Sequence, residues 1–231
     1  MDVPYQTRDN MFAYNIRLYQ ESDRHTVRQM FASGCYEYIP ATLYCALRQP
    51  QCWLLLMAGL FLPLVTTGSF AFSILGGIGA LLVLWIPGGV FFIFHAVRGL
   101  VRDLKDIKKY YLEREGYCFW VVELGEEVVG AVAAIPYITL HEKNVELKRM
   151  LVAGHHRGKG ISKLLCRTVI DYARKSGCNA VVLSTTSVQF TAMRLYETMG
   201  FKPSDPGIHN SVLQLIGMFW VGFRYDISSH R

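Results

Sequence analysis

The chain has 231 residues, 52% of them apolar, and a formal net charge of +6. This length suits one domain, or one domain with an embedded segment, and the apolar content lies at the upper limit for a soluble protein. The charge excess lies wholly in residues 98–231, which carry 19 basic and 13 acidic residues, so we expect an anionic partner there. No motif of interleaved aromatic and basic residues accompanies it, which argues against nucleic acid.

The six cysteines form no CxxC pair and have no Cys/His spacing typical of zinc. We therefore interpret them as reduced packing residues and expect no metal site. The polar stretch at residues 1–10 has no basic region that leads into an apolar run, so it does not resemble a signal peptide.

The chain begins with a strand followed by a helix. Apolar residues alternate at Tyr14, Ile16 and Leu18, which predicts a strand. Ser22 or Asp23 then has the side chain of a helix N-cap, ahead of apolar residues with helical spacing.

A long apolar run follows, because no Asp, Glu, Lys or Arg occurs in the 49 residues between Arg48 and Arg98. A single helix of that length would extend about 74 Å, whereas the hydrocarbon core of a bilayer is ~30 Å thick. We therefore predict a transmembrane helical hairpin with spans of about 20 residues, 52–71 and 78–97. The turn is expected at Ser73, Gly76 and Gly77.

Two alternatives remain for this run: a helical hairpin buried in a soluble protein, and a re-entrant loop around Pro63 and Pro87. Residues 98–114 hold six basic and three acidic residues, which favours the cytoplasm for this end of the hairpin. If the first strand joins the same sheet as the later ones, the run must cross the membrane an even number of times, which also favours two spans.

The second apolar helix is predicted to continue beyond the membrane. Leu100, Leu104, Ile107 and Tyr111 keep helical spacing, so we expect this helix to reach about Glu113, and Gly116 follows as a breaker.

Three strands are expected next, at 118–123, 127–135 and 144–153. In the third, Val145 and Leu147 share one face, while Met150 and Val152 fall on the other. A β-bulge near Lys148 or Arg149 would restore the alternation. The alternative is a strand buried on both faces.

The rest of the chain predicts a helix that ends near Lys175, a strand at 179–185, a helix from 189 that ends at Gly200 and a closing strand at 217–227. This order predicts an α+β fold, with a mixed central sheet flanked by helices. We divide the chain into the first strand and helix (1–50), the membrane hairpin (51–97) and the remainder of the α+β domain (98–231).

The sequence HHRGKGISKLL at 155–165 combines basic residues, two glycines and the start of an amphipathic helix. A strand, a tight turn and a helix N-terminus bring backbone N–H groups together, which makes an anion site suited to a diphosphate. The motif is neither a Walker A loop nor a full GxGxxG motif. His155 and His156 are interpreted as exposed polar residues, because no Cys or carboxylate lies nearby in the sequence.

Arg157 to Ser162 resembles the R/Q-x-x-G-x-G/A signature of the GNAT acetyltransferase superfamily, and the pattern L-x-x-M-x-V at 147–152 precedes it. The sequence AMRLYETMGF at 192–201 resembles the second motif of that superfamily, A-x-x-x-Y-x-x-x-G-F. Residues 14–227 are similar to the camello-like branch, the N-acetyltransferase 8 family, most specifically at 117–202. This resemblance implies a GNAT-like fold, acetyl-CoA as donor, and a membrane anchor in the endoplasmic reticulum.

The resemblance also implies site residues. Glu146 matches the general base and Tyr196 matches the tyrosine that donates a proton to the CoA sulfur; the alternatives are a solvated strand residue and a packed aromatic residue. The implied CoA-binding residues are Met150, Leu151, Val152, Arg157, Gly158, Lys159, Gly160, Ile161, Ser162, Lys163 and Gln189. Ser162 replaces a Gly or Ala, and Gln189 replaces an Asn. Arg149 either binds a substrate carboxylate or balances Glu146.

The expected reaction is acetyl transfer to the α-amino group of a small amino-acid derivative. A cysteine S-conjugate is favoured, because a lipophilic S-substituent would concentrate at the bilayer; aspartate would need a further cationic pocket. The alternatives are a protein lysine acetyltransferase and a non-catalytic CoA-binding membrane module. We expect the catalytic domain to lie in the cytosol.

Overall fold

The computed structural model describes residues 14–139, 142–205 and 211–227, in which a seven-stranded sheet carries helices on both faces. The strands are β1 (Tyr14–Leu18), β2 (Cys118–Leu124), β3 (Glu127–Ile138), β4 (Lys143–Val152), β5 (Ala180–Thr186), β6 (Lys202–Ser204) and β7 (Trp220–Asp226). The sheet order is β1-β2-β3-β4-β5-β7-β6, and only β4 and β5 are parallel neighbours. The predicted α+β fold with a mixed sheet is confirmed.

The helices are α1 (Arg24–Tyr36), α2 (Ile39–Leu47), α3 (Pro50–Thr67), α4 (Phe70–Val101), α5 (Ile161–Lys175), α6 (Phe190–Thr198) and α7 (Ser211–Leu215). The sequence pattern predicts α1, α3, α4, α5 and α6. It does not predict α2, α7 and β6, because these short segments carry little periodicity. The polar stretch at residues 1–10 lies outside the described residues.

Both faces of the sheet are covered. On one face, α5 buries Ile161, Leu165 and Val169 against the sheet. On the other face, α1 and the residues around the end of α4 pack with β2 and β3. Every residue from Val128 to Ala134 in β3 is therefore buried, with no alternation.

The apolar run forms two helices joined by a short turn, which fits the predicted hairpin. Both α3 and α4 are long and apolar enough to cross a membrane. The position of the turn was predicted wrongly, however. The chain reverses at Gly68, whose φ of 68° ends α3, and Ser69 precedes α4. Ser73, Gly76 and Gly77 lie inside α4 instead.

These small residues allow close contact between α3 and α4 and do not form the turn. A Cβ atom placed on Gly76 would lie 2.1 Å from the carbonyl oxygen of Gly59 in α3. Ser73 Oγ donates a hydrogen bond to the carbonyl of Leu60. The small side chains let the two backbones approach closely, as is common between apolar helices.

The extension of α4 to Glu113 was also wrong. The helix ends at Val101, and the chain then turns before a short π-helix at Lys108–Leu112. Arg28 of α1 donates hydrogen bonds to the carbonyls of Leu100 and Leu104, which satisfies acceptors at this helix end. The apolar spacing predicted the burial of Leu104 and Ile107 correctly, since both are fully buried. These residues lie beyond the end of α4, however, and not in a continuing helix.

Candidate functional site

The sheet opens between its two parallel strands. β4 and β5 pair only at Asn144–Ala180, Val145–Val181 and Glu146–Val182. Beyond Glu146 the strands have no mutual pairing, although β4 continues to Val152 and β5 to Thr186. A wedge-shaped gap therefore separates their C-terminal halves.

The half-buried residues Met150, Leu151 and Val152 line one side of this gap. Leu151 and Val152 pair with β3 along their other edge. An extended ligand chain in the gap could hydrogen-bond to β4 as an added strand does.

The predicted β-bulge is confirmed. The β3–β4 register shifts between Ala131 and Ala133, so that Ala131 faces Leu151 and Ala133 faces Lys148. Arg149 has φ of 53°, in the left-handed region that a side chain disfavours. The bulge therefore changes the direction of the β4 backbone where this strand borders the gap.

Arg149 binds an acidic residue that the sequence analysis did not consider. Its Nε and Nη2 atoms lie 2.7 and 2.6 Å from the two carboxylate oxygens of Asp103, and Tyr111 Oη donates to the same carboxylate at 2.5 Å. The guanidinium carbon also lies 4.5 Å from the ring centre of Phe31. Both interpretations given above for Arg149 are therefore corrected, because its hydrogen bonds go to Asp103.

The charged forms of Asp103 and Arg149 are favoured although both side chains are largely buried. Burial alone would raise the pKa of Asp103, but hydrogen bonds and charge from Arg149, together with the Tyr111 hydroxyl, outweigh burial and lower it. Burial, followed by the Asp103 charge, raises the pKa of Tyr111. The phenol therefore stays protonated and remains a donor.

Glu146 lies at the narrow end of the gap, at the last position where β4 pairs with β5. Its side chain is 22% exposed and one carboxylate oxygen lies 3.2 Å from Lys148 Nζ. The carboxylate is thus accessible from the gap and paired with a lysine.

The loop before α5 lies at the wide end of the gap. Gly158 and Gly160 have φ values of 76° and 84°, and a Cβ at either would meet no atom within 4 Å among the described residues. Gly160 is the N-cap of α5, so the N–H groups of Ile161, Ser162 and Lys163 belong to the first turn, where a helix leaves its donors unpaired. This loop is suited to an anion.

Two basic side chains of this loop have protein partners. Arg157 Nη1 lies 2.5 Å from Glu37 Oε2 and its Nε lies 3.4 Å from the carbonyl of Val152. Lys159 Nζ lies 3.2 Å from His156 Nδ1. Lys163 is exposed.

The second predicted motif lies on α6 and at its start. Tyr196 is buried against Phe201 and Phe223. Burial raises its pKa, and the neighbouring Cys166 and Tyr38 raise it further, so the hydroxyl keeps its proton. The sulfur atoms of Cys166 and Met150 lie 3.6 Å apart. Cys166 therefore connects the surroundings of Tyr196 with the bulged strand β4.

Gln189 is the N-cap of α6. Its side-chain oxygen Oε1 accepts hydrogen bonds from the Thr185 hydroxyl and, at 3.4 Å, from the backbone N–H of Thr186. Gln189 therefore connects the end of β5 to α6, and its amide NH₂ has no hydrogen-bond partner within residues 14–139, 142–205 and 211–227.

The interpretation of the histidine pair rested on a wrong premise. Glu127, at the start of β3, lies beside it, with Oε1 2.9 Å from His155 Nε2 and Oε2 3.5 Å from His156 Nε2. His156 is buried rather than exposed. The hydrogen bond from His155 lowers the pKa of Glu127.

A cavity of about 400 Å³ lies at the junction of α2 and α3. Sequence patterns did not indicate it, because its walls come from distant parts of the chain. The lining residues are mostly apolar and comprise Cys45, Arg48, Gln49, Ser187, Phe190, Met193, Gly217, Phe219 and Val221. Arg48 is exposed and makes no ion pair with the described residues.

Proteins that are similar to this chain in sequence and in structure agree with the geometry of the site. Residues 93–201 match the model of the acetyltransferase (GNAT) family. The chain is 38% identical to human N-acetyltransferase 8B over 221 residues, which cover 95% of this chain and 97% of that protein. It is 37% identical to a Xenopus tropicalis protein named probable N-acetyltransferase camello, over 93% of this chain and 98% of that one.

The chain belongs to the N-acetyltransferase 8 and camello family. It is an N-acetyltransferase, and acetyl-CoA is its acetyl donor. The fold agrees with a GNAT-family acetyltransferase from Staphylococcus aureus, with a TM-score of 0.55, 16% identity, and coverage of 94% of this chain and 100% of that one. The Salmonella typhimurium yncA structure, solved with its cofactor acetyl-CoA, gives a TM-score of 0.50 at 16% identity and covers 94% and 96%.

Proposed function

We propose that this N-acetyltransferase is anchored in the endoplasmic reticulum membrane and acetylates the α-amino group of a cysteine S-conjugate. The observation that carries the proposal is the gap between β4 and β5, with a carboxylate at its narrow end and a glycine loop at its wide end. This arrangement suits an elongated donor with a diphosphate at one end and a thioester at the other.

The donor-binding residues that we propose are those that the family resemblance implies, and they lie along the gap. Met150, Leu151 and Val152 offer backbone groups to the pantetheine arm. The diphosphate binds at the loop residues Arg157, Gly158, Lys159, Gly160, Ile161, Ser162 and Lys163. Gln189 contributes its free amide NH₂. Bound there, acetyl-CoA supplies the acetyl group as a thioester.

Glu146 acts as the general base and Tyr196 assists the leaving group. A protonated amine cannot attack a carbonyl, so Glu146 takes up the proton, directly or through water. The new amide bond replaces the thioester bond, and the Tyr196 hydroxyl donates to the departing sulfur. Its raised pKa keeps the proton available until negative charge forms beside it.

The cavity at the junction of α2 and α3 is the acceptor site that we favour. Its apolar walls suit a lipophilic S-substituent, and Arg48 at its rim suits the carboxylate of an amino acid. Phe190 and Met193 lie on α6, the helix that carries Tyr196. An acceptor in this cavity would approach the reacting carbonyl from the α6 side.

Membrane anchoring by residues 51–97 is supported by the surface of the hairpin. Most side chains of α3 and α4 are exposed, including Leu54, Leu62, Val65 and Phe72, which would be unfavourable in water. Trp53, near the start of α3, donates a hydrogen bond to the carbonyl of Leu47, as suits a tryptophan at a membrane interface. The acceptor cavity would then open beside the bilayer, where lipophilic conjugates concentrate.

Acetyl-CoA consumption by the detergent-purified protein tests the proposal. The acceptors are S-benzylcysteine, aspartate, a lysine peptide and a blank, and the variants are Glu146→Gln, Tyr196→Phe and Arg48→Gln. We expect turnover with S-benzylcysteine, loss of kcat in the first two variants, and a raised acceptor KM in Arg48→Gln. Turnover only with the lysine peptide, or donor binding without any turnover, would refute the acceptor class.

A second experiment tests the orientation. Residues 98–114 carry more basic than acidic residues, which supports a cytosolic catalytic domain. We expect protease added to sealed microsomes to digest the C-terminal domain. Protection of that domain until detergent is added would place it in the lumen and refute the orientation.

A further inference from the structure

A compact set of metal-binding side chains lies beside the loop that precedes α5. The carboxylate oxygens of Glu127 lie 2.9 Å from His155 Nε2 and 3.5 Å from His156 Nε2, and the three residues offer ligand atoms that all lie within 4.8 Å of one another. The sequence did not reveal the set, because Glu127 is 28 residues before His155 and only the β3–β4 pairing brings them together. A cavity of about 340 Å³ borders Glu127 and His155, which gives an ion and its waters access.

We propose that Glu127, His155 and His156 bind a divalent metal ion of the zinc class, and that binding frees Lys159 to contact the diphosphate of the donor. Two imidazoles and one carboxylate are a ligand set that zinc accepts, with water in the fourth position. The site lies outside the reacting groups and has no part in the chemistry of acetyl transfer.

The geometry needs only side-chain adjustment. Ligand atoms about 2.0–2.1 Å from a tetrahedral ion lie roughly 3.4 Å from one another, so no pair has to close by more than about 1.4 Å. The side chains of Glu127 and His155 are 53% and 68% exposed, so both are free to rotate. His156 is buried and supplies the fixed ligand.

The link to the donor runs through the second nitrogen of His156. Lys159 Nζ lies 3.2 Å from His156 Nδ1, and an ammonium can only donate, so Nδ1 accepts. A neutral imidazole that binds a metal through Nε2 carries its proton on Nδ1. Metal binding therefore breaks the contact between Lys159 and His156. The ammonium group of Lys159 is then free to contact an anion at the loop before α5.

Metal binding alone is measured first, so that the result does not depend on the proposed donor site. The full-length protein in detergent, purified without a histidine tag and stripped with a chelator, is titrated calorimetrically with ZnCl₂ and with MgCl₂. We expect one zinc site and no magnesium binding. His155→Ala and Glu127→Gln should weaken zinc binding about tenfold or more. The matched controls His25→Ala and Glu126→Gln, both exposed, should leave it unchanged.

The coupling is measured as the Kd of acetyl-CoA with and without Zn²⁺. We expect zinc to lower this Kd about fivefold, toward the small end of typical couplings because Lys159 is exposed and screened. Lys159→Met should retain zinc binding and lose the effect.

Absence of zinc binding, equal binding of magnesium, or an unchanged acetyl-CoA Kd in the zinc-bound protein would each overturn the inference. Failure of acetyl-CoA to bind at all, with zinc binding intact, would instead contradict the proposed donor site.

Discussion

Replacing Asp103 by asparagine tests whether a buried ion pair holds the β4 bulge in place. The side chains of Arg149 and Asp103 are only 16% and 9% exposed. Two hydrogen bonds of 2.7 and 2.6 Å join them. Breaking a buried pair costs about 3–5 kcal/mol, since it leaves one charge uncompensated. Asparagine keeps one acceptor oxygen, so we expect a loss of about 3 kcal/mol, which lowers Tm by about 6–12 °C in a protein of this size.

The same substitution should reduce activity beyond its effect on stability. A left-handed backbone conformation costs a non-glycine residue about 1–2 kcal/mol, and we expect the pair with Asp103 to offset this cost at Arg149. Without the pair, β4 can relax toward regular pairing and move the backbone that lines the gap. We expect kcat/KM for acetyl-CoA to fall at least about tenfold at a temperature where the variant is folded.

Asp171→Asn is the matched control. Asp171 forms an ion pair of similar length with Arg174, at 2.7 Å, but both side chains are about half exposed. Exposed pairs contribute about 0–1 kcal/mol, so Tm and kcat/KM should barely change. If Asp103→Asn behaved like this control in both assays, the ion pair would not be what maintains the bulge.

The effect of Asp103→Asn should also depend on pH in a defined way. The pKa of Asp103 is lowered from 3.8 in the folded protein, so its charge stabilises the fold above that value. This contribution is lost only as pH falls through the lower, folded-state pKa. We therefore expect a constant Tm difference between the wild type and the variant from about pH 5 to 8, and a smaller one below about pH 4.

Three further predictions concern the proposed base, the loop before α5 and the hairpin. Glu146→Gln should lower kcat about 10²–10⁴-fold and leave the acetyl-CoA Kd unchanged, whereas Glu126→Gln, at the exposed β2–β3 turn, should do neither. Gly160→Ala should raise the acetyl-CoA Kd, measured by calorimetry, because φ of 84° strains any side chain at the start of α5. Gly76→Ala should lower Tm in detergent because its Cβ would lie 2.1 Å from the facing helix, and Gly79→Ala, which meets no atom within 4 Å, should not. Unchanged kcat, Kd or Tm, respectively, would contradict them.

The sequence predicted the bulge because a strand has a strict period of two. Val145 and Leu147 on one face and Met150 and Val152 on the other require one extra residue between them, and the structure has it at Arg149. The strands and the amphipathic α5 were predictable for the same reason, since each carries its own period in consecutive residues.

The turn of the hairpin was not predictable in this way. Glycine is permitted both at a chain reversal and at a close contact between helices, so Gly68 and Gly76 look alike in the sequence. Two spans of equal length favoured the wrong one. Only the packing of α3 on α4 distinguishes the residue that ends a helix from the one that touches its neighbour.

Contacts between distant residues were also beyond the sequence. Asp103 and Arg149 are 46 positions apart, and no local pattern relates them. A signal did exist, since Asp103 is one of only three acidic residues in the basic segment 98–114. That composition is typical of a membrane flank, and by itself it does not indicate that one acidic residue pairs inward with a buried arginine.

The packing of α4 explains why the catalytic domain and the hairpin are difficult to separate. Its buried residues form one stripe of small and apolar side chains, from Ser73 beside α3 to Ala96 in the core with α1. One turn further on, a Cβ on Gly99 would lie 3.1 Å from an Arg149 guanidinium nitrogen. The same helix thus packs against its hairpin partner at one end and against the bulge of β4 at the other. A domain boundary after residue 97, where the apolar run ends, falls inside this helix. It also separates Ala96 from the core to which it belongs and which supports the site.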